Sequence, residues 1–239
     1  MITFYAYGAP NPHKVSIALL ELGLEHEIEV VDIWKGEGQS PGFLAINPNG
    51  KVPVIVDHDT GLTISESNAI LLYLAEKTGR LLPTDPARRQ RALELLFFQA
   101  SGVGPMFGQR AWFTLFAPEH VPYAITRYRN EAQRLTGVIE SLLPDDQPWF
   151  LGDEYSIVDI AFMGWIWTAV KMHFPIDAYP KLSAWLDRML AREAVRQGIV
   201  TPNPLPTFGC PATAQPLAAP ATSASSSASS SEREEAVAA

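Results

Sequence analysis

Sulfur is scarce in this chain: 239 residues include one cysteine, Cys210. A single thiol closes no internal disulfide, forms no CxxC pair and builds no thiolate metal cluster. That usage fits a reduced, cytosolic compartment. Positive charge is also in deficit, with 18 Lys and Arg against 26 Asp and Glu and a net charge of −8. Phosphate binding needs clustered Lys and Arg, so nucleic acid and an anionic membrane surface are excluded as main partners. No apolar run reaches roughly 18 residues, the length a membrane-spanning helix needs. The first residues lack the basic head and apolar core of a secretory leader and read as a strand instead. No internal repeat is evident. Core material, by contrast, is abundant: 47% of residues are hydrophobic and 10% aromatic. That fills one large domain or two small ones.

Residues 2–7 alternate and are rich in β-formers, which predicts a strand. Pro10 and Pro12 stop it. Val15, Ala18, Leu19 and Leu22 then recur at helical spacing, and Gly23 stands where a helix closes with a left-handed residue. "EIEVVDI" (27–33) predicts a second strand, and the Gly- and Pro-rich residues 34–50 a loop with one turn of helix. "VPVIVDH" (52–58) and "GLTIS" (61–65) predict a hairpin, and "SNAILLYLAEK" (67–77) a helix ended by Gly79. Beyond "LLPTDP" the pattern is helical only, over 86–116, 120–143, 156–173 and 180–194. In "YSIVDIAF", Ser156 as N-cap and Asp159 three residues on form a capping box, with Tyr155 and Ile160 spaced for a hydrophobic staple. From residue 203 the chain is rich in Pro, Ala and Ser, with too little apolar surface to offset its entropy, so disorder is expected there. The expected units are 1–82, 86–202 and a tail over 203–239.

The junction "YAYGAPNPHK" (5–14) is the first candidate site. A helix start aims unpaired N–H groups outward, and its partial positive charge favours an anion, a thiolate included. Asn11 can cap that helix, or its amide can donate a hydrogen bond outward. Pro53, in "GKVPVIVD", is either an ordinary strand-start proline or a cis proline that turns the strand edge toward a pocket and frees the Val52 backbone for a peptide ligand. Glu66 and Ser67 open a helix, as a plain cap or as a site for the ammonium and carboxylate of an α-amino acid end. In "GVGPMFGQ" (102–109) three glycines and a proline weaken a helical pattern. Either the helix breaks there or a backbone or ligand comes close. Tyr5 and Tyr7 are thiol donors or packing residues, and His13 is a base or a surface group. Trp165, Trp167 and Trp185 read as packing of the helical core. Trp34, Phe107, Trp112 and Phe113 read as an apolar acceptor pocket or as core.

A β-α-β unit followed by β-β-α is the order of a thioredoxin-like half. Over roughly residues 1–200 the chain resembles the cytosolic glutathione transferases, on "NPNGKVPVIVD", "ISESNAILLYL" and "SIVDIAF". Within them it is similar to the bacterial Nu class and the fungal nitrogen-regulator-like group, on "PNPHKV", "DIWKGEGQSPGFLAINPNGKVP", "FFQASGVGPMFGQ" and "YAITRYRNEAQRL". The resemblance implies an α/β thioredoxin-like N-terminal domain joined to an all-α C-terminal domain, the glutathione transferase fold. It implies a homodimer with glutathione as cosubstrate between the domains, and no metal. It implies a cis Val52–Pro53 bond, with the Val52 backbone on the cysteinyl unit. Glu66 and Ser67 would hold the γ-glutamyl end, and Gln39 and Lys51 the glycyl side. Asn11 would stand beside the sulfur as the catalytic group, with Gln99 and Arg134, and near it Arg127, as further contacts. The Nu class has a threonine where this chain has Ala9, a departure shared by the fungal group.

The activity so implied is glutathione-dependent thiol–disulfide exchange, with organic hydroperoxide reduction beside it. A free thiol has a pKa near 8.5, and a helix start with one or two hydrogen bonds lowers it by about one to two units. One alternative is a glutathione S-transferase that conjugates or cleaves a small electrophile at the same site. Another is a non-catalytic regulatory protein whose tail binds a partner. Glutathione or its disulfide, and a small electrophile, peroxide or disulfide, are the expected partners, in the cytoplasm.

Overall fold

The computed structural model describes residues 1–205; of the tail expected over 203–239, residues 206–239, Cys210 among them, lie outside the described residues. Strand β1 (Ile2–Ala6) realises the alternation in "ITFYA", burying Ile2, Phe4 and Ala6. It pairs in parallel with β2 (His26–Val30) and antiparallel with β3 (Val54–Asp57), Tyr5 standing opposite Val54. β4 (Leu62–Ser65) completes a sheet of order β2-β1-β3-β4.

β2 is shorter than the 27–33 span. The Val31 N–H still reaches the Ala6 carbonyl at 2.9 Å. Asp32 Oδ1 then accepts from the N–H groups of Trp34 and Lys35, at 3.0 and 3.2 Å, and turns the chain away. β3 begins after Pro53, which has no N–H for the ladder, and the Val52–Pro53 bond is cis.

Helix α1 (Pro10–Leu22) starts from Ala9, which is extended and offers no side-chain cap; Gly23 closes it at φ 67°. Asn11 therefore does not cap α1: it lies inside the first turn, one residue past Pro10, where its side chain is free for other work. α1 is buried nearly all round, including His13, Lys14 and Ser16, between the sheet and helices α3, α7 and α9. In the loop, α2 (Pro41–Ile46) is capped by Ser40, and α3 (Ser67–Thr78) ends on Gly79.

The second half is helical. The span expected as one helix over 86–116 is continuous but widened twice: α4 (Pro86–Phe98), a π-helical turn (Gln99–Val103), α5 (Gly104–Ala111) and a second π-helical turn (Trp112–Phe116). α6 (Pro122–Leu142) and α7 (Ile157–Lys171) follow. The capping box is present, with the Ser156 N–H on Asp159 Oδ2 at 3.0 Å and the Val158 N–H on Ser156 Oγ at 3.2 Å. Asp159 also accepts from the Trp185 indole at 3.0 Å. Burial pushes its carboxyl up to about 6 against those hydrogen bonds.

The last expected helix divides into α8 (Pro180–Ala191) and α9 (Glu193–Gly198) at Arg192, which is extended. The Arg192 guanidinium grips Glu21 of α1 by two bonds, at 2.6 and 2.8 Å. Beyond α9 the chain returns to α1, and the Asn203 carbonyl meets His13 Nε2 at 3.1 Å. Gly8 sits beneath the Asn203 and Pro204 carbonyls, where a Cβ would come within 2.5 and 2.9 Å. Among the described residues, no helix is long and apolar enough to cross a membrane.

Candidate functional site

A cavity of about 710 Å³ opens between the two halves. The start of α1 contributes Asn11 and Lys14, the loop before β3 contributes Lys51, Val52 and Pro53, and the start of α3 contributes Glu66, Ser67 and Asn68. Leu93, Leu96, Phe97, Gln99, Gly104, Gly108 and Trp165 form the facing wall.

Lys14 organises the floor. It is 1% exposed, and its ammonium donates to Gln99 Oε1 at 2.9 Å and to Ser67 Oγ and Asn68 Oδ1 at 3.3 Å each. All three acceptors are neutral. Burial pushes the ammonium down to about 7, opposed by the charge of nearby Glu66. Asn68 ties the net to the helical half, donating to Gln99 Oε1 at 2.8 Å and to the Leu96 carbonyl at 2.9 Å. Gln99 Nε2 is buried and makes no hydrogen bond among the described residues. A buried donor of this kind awaits an acceptor.

Glu66 precedes α3 with φ 69° and ψ 112°, a backbone conformation that a residue with a Cβ rarely adopts. This strain aims an exposed carboxylate at the cavity rim beside buried Ser67. Across the floor, the Asn47 amide donates to the Lys51 carbonyl at 2.7 Å and steadies the loop. The Val52 N–H and C=O make no hydrogen bond among the described residues, so one peptide edge is open to a ligand. At the helix start, Asn11 Oδ1 accepts from the Trp165 indole N–H at 3.0 Å.

Of the sequence candidates, Asn11, Lys51, Val52, Pro53, Glu66, Ser67 and Gln99 thus line one cavity. Gln39 and Arg134 do not. The Gln39 side chain lies over Gly50, beside Lys51 but outside the lining. Arg134 is exposed on α6 and holds Glu131 by two bonds, at 2.9 and 2.7 Å; Arg127 is exposed on the same helix. The aromatics weighed as an acceptor pocket pack elsewhere: Trp34 and Trp112 on Phe116, Phe113 on Tyr128, and Phe107 on Phe174. Tyr5 packs on Phe43, and Tyr7 turns to Asp32. His13 faces Asn203, and burial pushes its imidazole down.

Sequence reasoning missed Lys14, Asn68 and the cavity role of Trp165. Lys14 gave no signal, since a lysine in a helical pattern reads as surface. Asn68 stood within "SESNAI", and Trp165 directly after Gly164, a marker of close helix approach.

The fold and cleft define a class: a thioredoxin-like domain with a helical companion and a polar cleft between them. The family model for the glutathione S-transferase N-terminal domain matches residues 9–77, and that for its C-terminal domain matches residues 104–193. The chain belongs to the glutathione S-transferase family. It is 42% identical over 205 residues to the disulfide-bond oxidoreductase YfcG of Escherichia coli, covering 84% of this chain and 95% of that one. It is also similar to a Burkholderia graminis glutathione transferase solved with two glutathione molecules per subunit, with TM-score 0.81 and 39% identity over 84% of this chain and 88% of that one. The glutathione transferase URE2P6 of Phanerochaete chrysosporium, solved with oxidised glutathione, matches with TM-score 0.77 and 38% identity, covering 82% of this chain and 94% of that one.

Proposed function

We propose that this protein is a glutathione-dependent thiol–disulfide oxidoreductase. The observation that carries the proposal is the position of Asn11: inside the first turn of α1, on the cavity, across from the open Val52 peptide edge. Glutathione fits the residues present. Its cysteinyl amide has Val52 to pair with, and its γ-glutamyl carboxylate has Ser67 and the orphan Gln99 Nε2. Its ammonium has Glu66, and its glycyl end lies toward Lys51. Glutathione supplies the sulfur this chain lacks: one thiolate attacks a disulfide and expels a thiolate, and a second resolves the mixed disulfide, leaving oxidised glutathione and two reduced thiols.

The residues of the chain prepare that sulfur. Pro10 and Pro12 have no N–H and the His13 N–H bonds the Ala9 carbonyl, so in this first turn the Asn11 backbone N–H is the donor left open among the described residues. It and the Asn11 side-chain amide stabilise negative charge there. The matched relatives that hold two glutathione molecules or their disulfide support a cleft large enough for both partners of the exchange. In this proposal residues 1–82 supply most of the glutathione contacts, 86–202 supply the facing wall with Gln99, and the protein is a cytoplasmic homodimer that also reduces hydroperoxides.

Asn11→Ala tests the assignment. The pH at which disulfide exchange appears should rise, and the rate should fall more than glutathione affinity. An unchanged pH–rate profile removes Asn11 from the chemistry. The apolar stretch of the wall (Leu72, Leu93, Leu96 and Phe97) favours a second activity on the same sulfur, transfer to an apolar electrophile. Product analysis separates the two, since exchange yields oxidised glutathione and transfer yields a thioether.

A further inference from the structure

Resting on the proposed role of Asn11 as donor to the sulfur, we infer that Trp165 is its positioning residue: the indole N–H decides which end of the Asn11 amide faces the cavity. The two ends of a carboxamide are nearly equal in shape and opposite in hydrogen-bonding character. Only the N–H end suits a thiolate, because the oxygen end repels it. Nothing at the helix start selects between them, since Ala9 brings no side-chain hydrogen bond. The indole does select. It is a donor only, and at 3.0 Å it engages Asn11 Oδ1. Nδ2 is thereby turned from the indole, has no partner among the described residues, and is left for a ligand.

Three glycines bring the ring there. Gly164 lets α7 close on the first turn of α1, where any side chain would run into the Pro10 carbonyl and come within 3.1 Å of Lys14 Cγ. The next residue is Trp165. On α5, Gly104 and Gly108 leave room for the indole; a Cβ at either would come within 3.2 Å of Nε1 or 3.1 Å of Cη2. Two of the three glycines that weaken "GVGPMFGQ" as a helix, Gly104 and Gly108, thus admit a side chain, and both also line the cavity. Asn11 and Trp165 lie 154 positions apart, so the helical half sets the polarity of a group presented by the other half.

The test is the thiolate ultraviolet absorbance of bound glutathione against pH. Trp165→Phe is compared with replacement of Trp165 by its benzothienyl isostere, which keeps the ring shape and loses the N–H. Both should raise the apparent pKa of the bound thiol by about half to one unit. Glutathione Kd, measured below the wild-type thiol pKa, should stay within about twofold. Lys14, Lys51 and Glu66, the charged groups on the cavity, are untouched by either change. Combined with Asn11→Ala, either Trp165 change should add no further shift. The inference is overturned if the Trp165 variants leave the titration in place while Asn11→Ala moves it, or if the two shifts add. It is overturned together with the proposed role of Asn11 if Asn11→Ala moves nothing.

Discussion

The Lys14 ammonium and the Gln99 side-chain oxygen meet at 2.9 Å in the interior, and among the described residues no carboxylate forms an ion pair with Lys14. A charge held only by neutral acceptors is destabilising when buried. Folding lowers the Lys14 pKa from 10.5 to about 7. Between those values the unfolded chain binds the extra proton, so stability rises with pH from about 7 to 10.5. Below 7 the full penalty of the buried charge is present. Lys14→Met should therefore gain most on the wild type at or below neutrality, and the gap should narrow as pH rises. Urea denaturation of both proteins at pH near 7 and near 9 measures it; a pH-independent gap refutes the account.

The same group makes glutathione binding proton-linked. A ligand carboxylate at Ser67 would give Lys14 its missing counter-charge and raise its pKa, so near pH 8 proton uptake by Lys14 should offset the proton released by the bound thiol. Calorimetry in two buffers of different ionisation enthalpy reads the net proton exchange. Lys14→Met should shift it to a larger net proton release, the thiol contribution alone, with glutathione affinity lowered about tenfold or more.

Glu66 holds a left-handed backbone at φ 69°. Strain of this kind is worth about 1–3 kcal/mol. Glu66→Gly should thus raise stability by about 1 kcal/mol while weakening glutathione. Opposite signs in thermal unfolding and in the binding isotherm are the expected signature, and a loss in both would show that the backbone is relaxed.

Gly164 has no space for a methyl group between α7 and the Pro10 carbonyl. Gly164→Ala should lower stability by about 1–3 kcal/mol, as overpacking does. Chemical denaturation with no loss would mean that the two helices slide apart freely.

Asp57 governs acid sensitivity. Burial pushes its carboxyl up, but hydrogen bonds from Lys77 and Tyr73, at 2.5 and 2.6 Å, outweigh that and hold it at about 2. Its stabilisation is fully present above the unfolded value of 3.8 and is lost as pH falls through about 2. Asp57→Asn should be less stable at neutral pH, with a shallower loss in that acid window. Tryptophan fluorescence against pH follows both curves.

Much of this architecture was legible because its signals are local. The alternation of "ITFYA", the closure at Gly23 and the Ser156–Asp159 box each sit within a few residues, and each formed. Of the two readings open for Asn11, the cap fails because the cap position falls to Ala9, with Pro10 and Pro12 setting the first turn. Gln39, Lys51, Gln99 and Arg134 rest on resemblance, which does not say which way a side chain turns; Gln39 lies over Gly50 and Arg134 holds Glu131.

What stayed hidden depends on distant partners. Lys14 is buried because α1 is covered on every side, a consequence of tertiary packing with no trace in local periodicity. Trp165 read as core because an indole in an apolar helix usually is; its bond to Asn11 spans the two halves of the fold.

α1 is a wall shared by both halves: it lies under the sheet, against α3, α7 and α9, and beneath the returning Asn203. Neither half can melt alone without opening it. Hydrogen exchange should therefore find one cooperative unit, with α1 amides protected to the level of global unfolding, rather than two foldons released in sequence.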